Sequence, residues 1–193
     1  MSFPEDRIGY HFKNPELLKT ALTHSSYANE HGCDSYERLE FLGDSILGFL
    51  SAKYLYLHDP PVPEGRMTRL RADLVCEQSL YTVAVRLGFS EVLRLGKSAE
   101  RTGERKRQSI LADVVEAVLA AIYLDGGMEE AKRFVLPFIQ GMLGSVIKTG
   151  AEDYKSHLQR IVQQTPEETL KYVLVSEEGP PHDRTFGYEV YLN

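Results

Sequence analysis

The strongest constraint on this chain is a stripe of carboxylates within residues 36–50, most of whose other positions are apolar. Glu37, Glu40 and Asp44 follow one another after three and four residues, which places them on one face of an α-helix. Apolar side chains occupy the opposite face and predict that it is buried. Like charges at this spacing destabilise a helix, and no Lys or Arg follows Glu40 or Asp44 four residues later. A divalent cation, which prefers oxygen ligands, would compensate them.

A charged stripe is more often the solvated face of an amphipathic helix, and that alternative applies here too. Two glycines inside the same stretch, Gly43 and Gly48, argue against it. Each costs a helix about 1 kcal/mol relative to alanine. Such a glycine usually marks the close approach of another backbone, so we expect a second element to pack against this helix.

A second acidic helix is predicted over residues 108–124, which are apolar nearly all round and therefore deeply buried. Asp113 and Glu116 are its only charged residues. Buried carboxylates without partners are costly, so they require either buried arginines or a metal ion. The metal explanation needs no further residues. We therefore expect the two acidic helices to place four carboxylates around one metal site.

The remaining helices follow from apolar periodicity and from proline and glycine positions. We expect helices over residues 15–23, 36–57, 64–76, 77–87 and 129–147, with Pro137 bending or breaking the last. Residues 23–32 are predicted to form a polar connection. Within it, His24 is more often a hydrogen-bonded structural residue than a ligand.

The acidic stretch ERLEFLGDSIL resembles the signature motif of bacterial ribonuclease III. Three further blocks occur in the family's order and spacing: ALTHSSYANE, EGRMTRLRADLV and RQSILADVVEAVLAAIYLDGG. Together they cover most of residues 1–147. The resemblance implies that this region is an all-α endonuclease domain.

Residues 148–152 read as a linker, and residues 153–193 as a helix followed by two β-rich runs around a Gly-Pro-Pro turn. This order resembles the beginning of a double-stranded-RNA-binding domain, a small α/β fold of α-β-β-β-α type that reads the shape of an A-form duplex. Because the sequence ends before the third strand, we expect an incomplete domain. The resemblance implies RNA contacts by Gln159 from the helix and by His182 from the turn.

The resemblance also implies a Mg²⁺-dependent endoribonuclease, with Mn²⁺ as a substitute. It would cut double-stranded RNA into staggered products with 5′-phosphate and 3′-hydroxyl ends, in ribosomal and messenger RNA processing. The implied metal ligands are Glu40, Asp44, Asp113 and Glu116. Asp44 and Glu116 would be the catalytic residues, and Glu37 and Glu64 auxiliary acids.

The family works as a symmetric homodimer in which the signature helix lies at the interface. Phe41 lies beside the acidic stripe, away from the predicted core side of the helix. We therefore expect Phe41 to insert into the partner subunit. The alternative is a phenylalanine buried against its own domain.

Residues 94–107 contain six Lys or Arg residues, two Glu and two Gly, immediately before the second acidic helix. They predict a flexible basic segment. It is either an ordinary solvated loop or a contact to the RNA backbone. The candidate contacts are Arg101, Arg105, Lys106 and Arg107.

The net charge of −6 is unusual for a nucleic-acid-binding protein. Residues 1–150 carry 18 basic and 20 acidic residues, however, so the part outside the four clustered carboxylates is mildly basic. No apolar run is long enough to span a membrane, and the N-terminus carries no signal-peptide pattern. Two cysteines without metal-ligand spacing fit a reducing environment. We therefore expect a cytoplasmic protein.

Two other function classes remain open from the sequence. A non-catalytic double-stranded-RNA-binding protein of the same fold is the first, although such relatives typically lose the acidic residues that are all present here. The second is an unrelated acidic helical hydrolase that acts on nucleotides. The RNA-binding resemblance after residue 152 argues against this second class.

Overall fold

The computed structural model describes residues 5–58, 61–148, 162, 168–179 and 184–192. The chain divides into two compact units, Met1–Ser145 and Val146–Asn193. In the described residues the first unit is built from helices, and the second contains a pair of strands. The predicted linker begins at Lys148 and continues into residues 149–152, which lie outside the described ranges, so the domain boundary stays a prediction.

The described residues up to Lys148 form ten helices and one 3₁₀ turn, Glu104–Lys106. The helices are α1 (Glu5–Ile8), α2 (Pro15–Ala21), α3 (Ser25–His31), α4 (Glu37–Tyr56), α5 (Glu64–Val75), α6 (Glu77–Leu87), α7 (Phe89–Val92), α8 (Lys97–Arg101), α9 (Gln108–Gly126) and α10 (Met128–Lys148). The five long helices α4, α5, α6, α9 and α10 lie where the apolar periodicity predicts them. The predicted all-α architecture of this unit is confirmed.

Helix α9 is the centre of the core and packs against α2, α4 and α6. Eleven of its residues are buried, mostly alanine, valine, leucine and isoleucine. Burial of apolar surface is the main stabilising contribution to a fold of this size. The prediction of a helix that is buried nearly all round is therefore confirmed.

The backbones of α4 and α9 meet at Gly43 and Glu116. A Cβ atom placed on Gly43 would lie 2.0 Å from the carbonyl oxygen of Glu116 and 2.4 Å from its carbonyl carbon. Only glycine therefore fits at position 43, as the sequence predicts. The same expectation is wrong for Gly48, where a Cβ would meet nothing within 4 Å.

Two segments that the sequence assigns to loops are helical. Residues 25–31 form α3, because the His24 side chain accepts a hydrogen bond from the Ser26 backbone N–H and Gly32 ends the helix in a left-handed conformation. In the predicted flexible basic segment, residues 97–101 form α8 and residues 104–106 form the 3₁₀ turn.

Pro137 does not interrupt α10, which runs from Met128 to Lys148. Proline removes one backbone hydrogen bond from a helix. Phe134, Val135 and Ile139 are all buried on either side of it. We attribute the continuity of α10 to this packing, which offsets the missing bond.

The second unit contains the antiparallel strands β1 (Leu170–Glu178) and β2 (Thr185–Leu192), which pair from Leu170 opposite Leu192 to Glu178 opposite Thr185. The predicted hairpin is confirmed. Gln159 and His182 lie outside the described residues, as does nearly all of the helix predicted before the hairpin. Their RNA contacts stay predictions.

None of the helices in the described ranges combines the length and the apolar character that a membrane span requires.

Replacing Gly43 by alanine should lower the free energy of unfolding by about 2–3 kcal/mol, because the new methyl group overlaps the Glu116 backbone. Gly48→Ala is the matched control in the same helix. It should leave stability unchanged or raise it by up to about 1 kcal/mol. Urea denaturation measures both. Equal effects of the two substitutions would contradict the backbone contact.

Candidate active site

Four carboxylates come from two helices whose backbones touch. Glu40 and Asp44 are one turn apart on α4, and Asp113 and Glu116 are nearly one turn apart on α9. Gly43 lies beside Asp44 in sequence and against the Glu116 backbone in space. The close approach of the two helices therefore brings both acidic pairs to one place.

The pKa values show how strongly these side chains interact. Burial raises the pKa of Glu116 to about 8, and the charges of Asp44, Glu40 and Asp113 add to this effect. Burial also raises the pKa of Glu40, followed by the charges of Asp113, Glu37 and Asp44. Among the described residues, every charge that shifts the pKa of Glu116 or Glu40 is thus another carboxylate. The structure brings the four predicted ligands into one negatively charged cluster.

Both acidic and cationic side chains act on the pKa of Asp113. Burial raises its pKa most, while the hydroxyl of Tyr36 donates a hydrogen bond to Asp113 Oδ2 at 3.3 Å and lowers it. The charge of Glu77 raises the same pKa, and those of His24 and Arg107 lower it. The charged form of Asp113 is therefore stabilised in part by its own neighbours.

Tyr36 was not predicted as a site residue, although it directly precedes the acidic stripe. Its ring is buried, its carbonyl accepts a hydrogen bond from the Glu40 N–H at 2.9 Å, and its own N–H donates to the Thr23 carbonyl at 2.8 Å. One residue thus contacts both the helix that carries Glu40 and the side chain of Asp113. Glu77, at the first position of α6, was also missed, because nothing in its sequence context sets it apart.

The two predicted auxiliary acids lie in different surroundings. Glu37 accepts a hydrogen bond from Ser35 Oγ at 3.1 Å and raises the pKa of Glu40, so it lies at the edge of the carboxylate cluster. Glu64 begins α5 and accepts a hydrogen bond from Thr68 Oγ1 at 3.0 Å. It is not among the charges that shift Glu40, Asp113 or Glu116. Its auxiliary role stays a prediction.

The cluster fits a hard divalent cation in its donor chemistry, because all four side chains offer carboxylate oxygens and none offers sulfur or imidazole. Among the described residues, no three His, Cys, Asp or Glu side chains converge as ligands of one ion. The cluster therefore has the donor chemistry of a metal site, although no three of these side chains lie within reach of a single ion.

The candidate RNA contacts of the basic segment divide into two groups. Arg101, Lys106 and Arg107 are exposed, and the charge of Arg107 reaches Asp113. Arg105 is only partly exposed and directs its guanidinium to Glu100 and to two backbone carbonyls. Most of its N–H donors are therefore used inside the protein, and its role as a direct RNA contact stays a prediction.

Phe41 lies on the outer face of α4 with 79% of its surface exposed. The alternative that Phe41 is buried within its own domain is therefore wrong. Phe49 and Tyr56 follow it at intervals of eight and seven residues and are 53% and 75% exposed. We call these three residues the aromatic stripe. Its last two members, Phe49 and Tyr56, line a groove of about 470 Å³ together with Glu64 and Met67 of α5.

When a chelator removes metal ions, the free energy of unfolding should fall as the pH rises from about 4.5 to about 8. The folded chain holds a proton on Glu116 up to about pH 8, whereas an unfolded glutamate releases it near pH 4.5. The unfolded state therefore binds fewer protons in this range, and stability decreases with pH. Urea denaturation at several pH values measures the slope, which Glu116→Gln should flatten. An unchanged slope in the variant would contradict the assignment.

Comparison with known proteins places this geometry in a family. Residues 14–143 match the family described as ribonuclease-III-like, and residues 154–193 match the double-stranded RNA binding motif. A Ribonuclease 3 of Clostridium botulinum is 44% identical over 191 residues, covering 98% of this chain and 82% of that protein. A Ribonuclease 3 of Caldanaerobacter subterraneus is 44% identical over 195 residues, covering 100% and 86%.

The solved nuclease domain of ribonuclease III from Campylobacter jejuni is similar in structure, with a TM-score of 0.67 and 36% sequence identity. The match covers 72% of this chain and 94% of that domain, whose structure concerns flexibility in a region involved in dimer formation. The family match over residues 14–143 and the 44% identity along nearly the whole chain show the same relationship. The chain belongs to the ribonuclease III family of double-strand-specific endoribonucleases.

Proposed function

We propose that this endoribonuclease hydrolyses double-stranded RNA with Mg²⁺, or Mn²⁺ in its place, held by Glu40, Asp44, Asp113 and Glu116. Each cut leaves a 5′-phosphate and a 3′-hydroxyl, and cuts on both strands give staggered ends. Its substrates are ribosomal and messenger RNA precursors. Nucleases of this family are metal-dependent, which supports the assignment of the carboxylate cluster.

The observation that carries the proposal is the surroundings of Glu116. This side chain is largely buried, and each charge in the described part of the chain that acts on its pKa belongs to another carboxylate. Four carboxylates that share a partly buried site repel one another, which is a cost to folding without a cation. A fold that keeps such a cluster is typical of a functional site rather than of a structural one.

Phosphodiester hydrolysis needs a nucleophile, an in-line phosphorus and stabilisation of the leaving oxygen. When bound, the metal supplies an activated water and neutralises charge on the phosphate oxygens. Within the chain, Asp44 and Glu116 hold that centre, and the Tyr36 hydroxyl orients Asp113. The exposed Lys106 and Arg107 attract the RNA backbone to the same end of α9.

We also propose a symmetric homodimer with one such site in each subunit. The aromatic stripe on α4 supports it, because a row of exposed aromatic side chains is typical of a protein interface. Phe41 would insert into the partner. We place the enzyme in the cytoplasm, and the exposed free thiols of Cys33 and Cys76 are consistent with a reducing compartment.

Replacing Glu116 by glutamine should reduce cleavage of a long RNA duplex by at least about a hundredfold, because the neutral amide is a poor metal ligand and charge stabilisation is lost. Binding of the duplex should persist. The exposed Glu129, which forms an ion pair with Lys132 in the next turn, provides the matched Glu129→Gln control. Gel electrophoresis of labelled duplex with Mg²⁺ and with excess chelator measures the effect. Near-normal cleavage by Glu116→Gln would refute the assignment.

Replacing Phe41 by aspartate should convert the dimer to a monomer, because a carboxylate would have to be desolvated in the apolar interface. Val85 on α6 is also exposed, at 55%, and lies outside the aromatic stripe. Val85→Asp should therefore remain a dimer. Sedimentation velocity distinguishes the two forms. A Phe41→Asp chain that still sediments as a dimer would rule out this interface.

A further inference from the structure

The basic segment has a defined shape that depends on one of its own arginines. We use the name basic loop for Lys97–Arg107, which consists of α8, the 3₁₀ turn and the residues around them. The loop leads directly into α9, since the Arg107 carbonyl accepts a hydrogen bond from the Leu111 N–H at 3.1 Å. Its conformation therefore determines how close its cations, Arg107 among them, lie to Asp113.

Arg105 is the residue that ties this loop together. Its Nε and Nη2 atoms donate to the Glu100 carboxylate at 2.8 Å and 2.6 Å. Its Nη1 atom donates to the carbonyl oxygens of Ser90 at 2.6 Å and Leu93 at 2.8 Å. One side chain thus connects the 3₁₀ turn, α8 and the end of α7.

The side chains of the other cations in the basic loop are exposed to solvent. Within the described part of the chain, no hydrogen bond or ion pair occupies the side chains of Arg101, Lys106 or Arg107, and all three are exposed. Arg105, by contrast, retains 31% of its side-chain exposure. Together with the exposed Lys97 at its start, the loop therefore contains four outward cations and one inward cation.

We propose that Arg105 is a positioning residue, which holds the basic loop in the shape that presents Arg101, Lys106 and Arg107 to the RNA backbone and does not itself bind phosphate. The proposal rests on the proposed RNA contact of this loop. It assigns Glu100 the same role, because the carboxylate completes the bridge from the other side.

The physical advantage is preorganisation. A loop that becomes ordered only on binding pays its conformational entropy out of the binding free energy, whereas a braced loop has already been ordered on folding. The brace needs arginine in particular, because a planar fork can serve a carboxylate and two carbonyls at once. A lysine has a single nitrogen and cannot make this set of bonds.

The test uses a substitution for which simple electrostatics and the positioning role predict opposite changes in RNA affinity. Glu100→Gln removes a negative charge from the basic loop, so electrostatics alone would strengthen RNA binding. If the brace positions the loop, binding should weaken by about fivefold, which corresponds to about 1 kcal/mol. Glu104→Gln is the matched control, since it removes the same charge from the 3₁₀ turn and leaves the Arg105 bonds intact. It should bind equally well or more tightly.

Affinity is measured for the full chain and an RNA duplex in excess chelator, so that no cleavage occurs. Arg105→Gln should weaken binding to a similar extent, and the double variant Glu100→Gln/Arg105→Gln should be no weaker than Arg105→Gln alone. Hydrogen exchange of the amides in residues 97–107 gives a readout without RNA. It should accelerate in Glu100→Gln and Arg105→Gln and stay unchanged in Glu104→Gln.

Two results would overturn the proposal. Glu100→Gln could bind RNA as tightly as Glu104→Gln, or loop exchange could be unaffected by loss of the brace. Two further variants, Lys106→Gln and Arg107→Gln, test the RNA contact itself. Each should weaken binding and reduce the slope of log affinity against log salt concentration by about one, the value for one lost phosphate contact. If both bind normally, the loop does not touch RNA and Arg105 has no role there, whereas the cleavage assay with Glu116→Gln still tests the catalytic assignment independently.

Discussion

The contact between the backbones of α4 and α9 at Gly43 and Glu116 is the constraint on which the rest of the site depends. Two packed helices usually have roughly 8–10 Å between their axes, and the side chains at the contact set this distance. At this crossing one residue has no side chain, and the carbonyl of Glu116 occupies the space that a Cβ would need. The acidic pairs of both helices meet only because of this approach.

The close approach has an electrostatic cost that the fold accepts. Glu116 keeps a proton to about pH 8 in the absence of metal, since burial and three neighbouring carboxylates all disfavour its charged form. The carboxylates of this cluster lie beside other carboxylates. Acidic residues elsewhere pair with a cation three residues away on the same helix, as Glu16 does with Lys19 and Glu130 with Arg133. Such a localised exception is typical of a site that has a function beyond stability.

Near the carboxylates, two residues outside the predicted metal ligands hold neighbouring groups in position through hydrogen bonds. Tyr36 contacts α4 through its backbone and Asp113 through its hydroxyl. Arg105 connects three short elements before α9 through five hydrogen bonds, with Glu100 as its ionic partner. Both residues act by holding neighbours in place. An arginine in a basic segment can thus hold the shape of the segment while most of its donors bond within the protein.

The sequence alone determined the long helices, the hairpin and the candidate carboxylates, because apolar periodicity, turn residues and isolated charges on buried helices are local properties. It also predicted the close approach at Gly43. It could not distinguish Gly43 from Gly48, or Arg105 from Arg107. The two residues of each pair are of the same type in similar sequence contexts, and they differ only in their tertiary contacts. Tyr36 and Glu77 were missed for the same reason. Which glycine touches another backbone, and which arginine turns inward, is decided by the packing of elements that are far apart in the chain.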